Sequence, residues 1–132
     1  MPRQLVTLDA SILIALSDTE DLHYDDASSF IRSSTFRRRL LVHPVNLAEA
    51  AVRPSKVGKA DRVRELWEFL GVNVTKVDDD QPWRLASLRA STGLALPDCC
   101  VLDTAQQVDS SIATFDTRLA QRAADLGVDL AL

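Results

Sequence analysis

The sequence predicts one α/β domain, a mainly parallel central sheet covered by helices in a three-layer α/β/α arrangement. Two observations predict it. Short aliphatic, β-rich runs alternate with helical patterns along almost the whole chain. The 132 residues, 46% hydrophobic but only 5% aromatic, are enough for a single domain (1–132) with an aliphatic core.

"QLVTL" reads as the first strand, and "ASILIALS" as the helix that follows it. "DDASSFIRSS" is a second helix, and "RLLVH" is a strand stopped by Pro44. "VNLAEAAV" is a helix expected to end at Arg53-Pro54, because the residue before a proline avoids the helical region. "GKADRVRELWEFLG" sets Val63, Leu66, Trp67 and Leu70 at helical spacing and stops at Gly71. "VNVTKV" is a strand, and "DQPWRLASLRAST" is a helix with Pro82 in its first turn. After the loop "GLALP", the helix "DCCVLDTAQQ" leads into the strand "SIATF", the helix "TRLAQRAADLG" and a short closing strand, "VDLAL".

Composition narrows the function classes. The apolar runs are too short to span a bilayer, and "MPRQLVTLDA" lacks the apolar region of a signal peptide, so a cytoplasmic location away from membranes is expected. Cys99 and Cys100 are adjacent and alone, which excludes a loop-closing disulfide and leaves no second pair for a zinc site. They read as small core residues of a helix. The net charge of −4 hides an asymmetry. Residues 32–64 hold nine Lys or Arg against Glu49 and Asp61, while the remainder holds six basic and seventeen acidic residues. A basic region of this kind attracts a polyanion even when the total charge is negative.

In open α/β sheets, ligands gather outside the carboxyl ends of the strands. Asp9 follows "LVTL", Asp116 follows "SIATF", and Glu49 lies about one turn into the helix after "RLLVH", so all three fall near that edge. Asp98 starts the helix before "SIATF", and the edge rule alone does not fix its place. Singly, each acid suits a helix cap, worth roughly 1 kcal/mol over alanine, and Glu49 stands at capping-box spacing from Asn46. Together, converging carboxylates repel one another and raise each other's pKa unless a cation neutralises them. An all-oxygen set suits Mg²⁺ or Mn²⁺, which activates water and offsets charge on a phosphodiester.

Four segments resemble the PIN domain, specifically the VapC-type toxin ribonucleases of bacterial toxin–antitoxin pairs. "LDASILIAL" is similar to the opening Asp–x–Ser/Thr motif, with Asp9 and Ser11, and "VNLAEAA" to the segment of the family glutamate, Glu49. "LPDCCVLDTA" resembles the segment of the third acid, Asp98, and "IATFDTRLAQRA" the closing Thr–x–Asp motif, with Thr114 and Asp116. The resemblance implies a parallel sheet of about five strands. It also implies Asp9, Glu49, Asp98 and Asp116 around one or two Mg²⁺ or Mn²⁺ ions, with Asp9 and Asp98 as principal ligands. Ser11 and Thr114 would orient the carboxylates. The implied reaction is attack of water on an RNA phosphodiester, and the implied partners are a VapB-like antitoxin and a second copy of the chain. The target RNA and the number of ions are not legible.

Asp103 stands where the family usually has a small apolar residue. Five helical residues from Asp98 turn it roughly 140° away, so it reads as a surface or partner-contact residue, with an extra metal contact as the lesser reading. Arg37, Arg38, Arg39, Arg53, Lys56 and Lys59 would suit a nucleic-acid groove beside the acids, against the alternative of solvated surface. The run Asp78-Asp79-Asp80 is explained by favourable charge at a helix start. Trp67 and Trp83 read as core before interface, and His23 and His43 lack a catalytic partner at a telling spacing. Two other functions remain open: a binding module of the same fold whose acids are only caps, and a phosphoryl-transfer enzyme with an aspartyl nucleophile. The latter commonly has a second Asp where Ser11 stands.

Overall fold

The computed structural model describes residues 3–132. Strand β1 (Gln4–Leu8) is followed by α1 (Ala10–Leu16) and α2 (Tyr24–Ser34), and then by β2 (Arg38–Val42). Helices α3 (Pro44–Lys56) and α4 (Ala60–Phe69) lead to β3 (Val72–Val74). Helices α5 (Gln81–Thr92) and α6 (Leu96–Val108) precede β4 (Ser111–Ala113), and α7 (Thr117–Asp125) follows it. The four strands pair in parallel in the order β3-β2-β1-β4.

That order creates the site. From β1 the chain first builds outward through β2 and β3, then returns to place β4 on the other side of β1. The carboxyl ends of β1 and β4 therefore flank the point where the winding reverses, the usual crevice of an open parallel sheet. Asp9 extends the ladder there, its N–H donating to the Ala113 carbonyl (3.0 Å).

Two cores sandwich the sheet. Alternate strand residues Val6, Leu8, Leu40 and Val42 pack with Leu13 of α1, Phe30 and Ile31 of α2, Ala50 of α3 and Trp67 of α4. Leu94, Leu102 and Ala105 pack with Ile112 of β4 and Leu119 and Ala123 of α7. Helix α6 is the most enclosed: Cys99 to Ala105 are all buried, so it has no solvent face over two turns. Cys99 and Cys100 lie inside it, and burial pushes the Cys100 thiol up to about 11, keeping it a neutral core group.

Four expectations are corrected. Helix α3 runs through Pro54 to Lys56. Proline there removes a single helical N–H close to the end, and the chain closes with Lys59 N–H on the Pro54 carbonyl (2.8 Å). The closing strand is reduced to one parallel bridge, Ile112 with Leu130, because β4 itself pairs over three residues only. Trp67 is core, but Trp83 is 78% exposed in the first turn of α5. Asp103, read as a surface residue, is buried. It accepts from Arg84 Nε (2.7 Å) and Nη2 (3.1 Å) and from Gln81 Nε2 (3.1 Å). Turning away from Asp98 brings it under α5 and not into water, since α6 has no free side.

The same network absorbs other singled-out residues. Arg84 also grips Asp78 with two nitrogens (2.7 and 3.0 Å), so this member of the acidic run is an ion-pair partner, while Asp80, at the N-cap of α5, makes no side-chain cap. These contacts hold the Asp78 carboxyl low and the Arg84 guanidinium firmly charged. Gln81 Oε1 meets His43 Nε2 (2.8 Å), and His43 Nδ1 accepts from Val45 N–H (3.0 Å). Accepting at Nδ1 assigns the ring proton to Nε2, so His43 is the neutral N-cap of α3. Asn46, expected to cap that helix with Glu49, lies one turn inside it.

Candidate active site

Asp9 is nearly buried, and its charge is answered on both oxygens. Oδ1 accepts from Ala10 N–H (2.9 Å) at the start of α1. Oδ2 accepts from Ser11 Oγ (2.8 Å) and from Thr114 Oγ1 (2.7 Å). Backbone donors fix these hydroxyls: Phe115 N–H donates to Ser11 Oγ (3.1 Å) and Asp116 N–H to Thr114 Oγ1 (3.0 Å). With each hydroxyl oxygen accepting from an amide, its proton turns to Asp9. The chain thus ties the loop after β4 to the loop after β1 through one carboxylate oxygen. Deleting either hydroxyl removes one of the two links and one donor to Asp9.

Asp116 is the N-cap of α7, Oδ1 accepting from Arg118 N–H (2.9 Å) and Leu119 N–H (3.1 Å). Glu49 is solvent-exposed on α3 and accepts from Asn46 Nδ2 (3.3 Å). The same Asn46 nitrogen donates to the Pro97 carbonyl (2.9 Å), clamping α3 against the first turn of α6 beside Asp98. Asn46 is fully buried, and its Oδ1 is the one buried side-chain atom without a partner among the described residues.

Asp98 unites the set. It lies in the first turn of α6, partly buried. Its carboxyl is raised to about 6, first by burial, then by the charges of Asp9, Asp116 and Glu49, with Arg118 opposing. Capping accounts for Asp9 and Asp116. It accounts neither for Glu49 nor for Asp98, whose titration registers all three other acids at once.

Among the described residues, no three Asp, Glu, His or Cys groups stand close enough to hold one ion as placed. Each of the other three acids is turned to a local donor instead, as mutual repulsion favours. The donors nevertheless fit a hard divalent cation in kind: four carboxylates, no sulfur or imidazole, a partly desolvated centre and an orphaned amide oxygen at its margin.

The basic residues separate into two groups. Arg53 and Lys56 continue α3 one and two turns beyond Glu49, and Lys59 follows that helix. Arg37, Arg38 and Arg39 do not join the acids. Arg38 and Arg39 begin β2 and pair with Gln4 and Leu5 at the amino edge, about 16 Å of strand from Asp9. Proximity to Glu49 in sequence conceals the length of β2 between them. One neighbour of the site carries no signal in the sequence: His23 stacks on Phe115, rings 4.2 Å apart, between Thr114 and Asp116.

The PIN domain family model matches residues 6–125, and the chain belongs to that family. Solved structures of similar fold include a toxin–antitoxin complex from Klebsiella pneumoniae (TM-score 0.71, 23% identity, 85% of this chain and 87% of that one). Another is VapBC2 from Rickettsia felis bound to a DNA fragment from its promoter (TM-score 0.72, 13% identity, 96% and 97%). A third is VapBC-1 from nontypeable Haemophilus influenzae (TM-score 0.68, 16% identity, 96% of each). Comparison with curated proteins returned no match.

Proposed function

We propose that the chain is a metal-dependent ribonuclease and the toxic member of a VapC-type toxin–antitoxin pair. The observation that carries this reading is the convergence of the four acid-bearing segments at the sheet's reversal point: Thr114 joins the Asp9 loop to the Asp116 loop, and Asn46 joins Glu49 to the first turn of α6 that carries Asp98. Asp9 and Asp98 would hold a Mg²⁺ or Mn²⁺ ion, with Glu49 and Asp116 completing its oxygen shell directly or through water. When bound, the ion lowers the pKa of a water and offsets charge on the scissile phosphate.

The chain's own residues supply the rest. Ser11 and Thr114 fix the Asp9 carboxylate in one orientation. Asn46 holds Glu49 and the Pro97–Asp98 turn in register. Asp98 accepts no hydrogen bond among the described residues, and its carboxyl is raised to about 6 by burial and the neighbouring acids. It is left free to turn to the ion and gives up its proton when the ion binds. Arg53 and Lys56, on the same helix as Glu49, would position the phosphates of the RNA without reading its bases.

The fold likeness to toxin–antitoxin complexes supports a VapB-like antitoxin as partner. A homodimer and a cytoplasmic setting are part of the same proposal and rest on the sequence alone. Incubating labelled single-stranded RNA with the purified protein tests it. Cleavage should require Mg²⁺ or Mn²⁺ and disappear in Asp9→Asn and Asp98→Asn. Cleavage that survives both substitutions would show that the acids are not the site.

A further inference from the structure

A cavity lies away from the acids, at the amino edge of the sheet. It encloses about 590 Å³, within the range of small-ligand sites. Its walls include Arg3, Arg38 and Arg39, and no acidic residue among those described lines it. Three guanidinium groups around one hollow, in a chain of net charge −4, are an unbalanced local charge that an anion would offset. Arg38 is held by neutral groups: Ser33 and Ser34 accept from it (3.2 and 3.1 Å), and it lies 5.0 Å from the Phe30 ring centre. Its position is set while its charge stays unspent.

The same cavity is lined by two phenylalanines that folding does not hide. Phe36 is 83% exposed and Phe69 87%. Phe36 also sits at φ 67°, a left-handed conformation that costs a non-glycine residue energy and serves no core contact here. Asn73 adds an amide whose nitrogen is engaged by the Leu40 and Gly71 carbonyls, while no described residue donates to its oxygen. Cations for phosphate, flat apolar rings for bases and one free polar edge are together the chemistry of single-stranded nucleic-acid binding. An acidic peptide would use the arginines but would leave the exposed rings without a planar partner.

We propose that this cavity is a second contact for single-stranded RNA, binding a segment of the strand remote from the one at the acids. The proposal rests on the ribonuclease reading for the identity of the polymer, and its test is independent of cleavage. Binding of a short fluorescein-labelled oligouridylate is followed by fluorescence anisotropy in EDTA, in the full-length Asp98→Asn protein. Arg39→Glu and Phe69→Ala are added separately; both side chains are exposed, so unfolding temperature should stay constant.

Phe69→Ala should weaken binding roughly fivefold or more, the effect of losing one stacking platform. Arg39→Glu should weaken it at least as much and flatten the salt dependence by about one phosphate contact. Unchanged affinity in both variants overturns the proposal. So does loss in Arg39→Glu alone with inorganic phosphate or polyglutamate competing as well as RNA, which marks a general anion site. If the wild-type protein cuts no RNA while binding still depends on Arg39 and Phe69, the second contact stands and the nuclease reading falls. If it cuts RNA while binding ignores both residues, only the second contact falls.

Discussion

Replacing Asp98 with asparagine should make the metal-free protein more stable while removing its activity. The carboxyl titrates at about 6 in the fold against 3.8 ordinarily, because folding buries it among three other acids. The folded state therefore holds the proton more tightly than the unfolded state. Below about pH 4 both states are protonated there, and the fold gains whatever the neutral group offers. As pH rises from 4 through 6, the unfolded chain ionises first and stability declines; above 6 the loss is complete. Two pKa units correspond to about 3 kcal/mol. Asp98 is only partly buried, and solvent screening brings the expected effect to roughly 1–2 kcal/mol. Asparagine keeps the shape and carries no charge. Urea unfolding in EDTA from pH 4 to pH 8 should thus show near-equal midpoints at pH 4 and a widening advantage for Asp98→Asn up to about pH 7. A constant difference across that range, or a less stable variant at pH 8, would refute the account of Asp98 as the point where the acids meet.

Further outcomes follow from the same contacts. Thr114→Val removes the donor to Asp9 and the acceptor of Asp116 N–H, and chemical denaturation should show a loss of about 1–3 kcal/mol together with weakened cleavage. Arg84→Met leaves the buried Asp103 carboxylate without its ion pair and should cost about 3 kcal/mol. Adding Asp103→Leu should recover much of that loss, which a double-mutant cycle measures. Because a metal must displace the Asp98 proton, Mn²⁺ affinity should rise with pH up to about 6 and then level off, as calorimetry at several pH values would reveal.

Asp9 and Asp116 were placed by sequence because strand–helix alternation fixes which edge each loop occupies, and a residue directly after a parallel strand has one edge available. Glu49 followed by the same logic one turn further. Asp98 required the family resemblance, since nothing local says how the three-residue loop Gly93–Ala95 turns α6 toward the crevice. Asp103 shows where periodicity stops. Helical rotation correctly turned it away from Asp98, but whether that direction meets water or another helix depends on α5, whose Arg84 lies 19 residues away. Likewise the arginines at 37–39 are close to Glu49 along the chain and far from it in space, because a strand converts sequence distance into length. His43 and Gln81 carried no pattern at all, and their pairing spans 38 residues.

The central claim is that Asp9, Glu49, Asp98 and Asp116 act on one divalent ion. Mn²⁺ titration by calorimetry at pH 7.5, on the wild-type protein and on Asp9→Asn, Glu49→Gln, Asp98→Asn and Asp116→Asn, tests it most directly. The account predicts binding to the wild type that each single substitution weakens, most strongly at Asp9 and Asp98. Equal affinity in all five proteins, or no binding to the wild type, would contradict it.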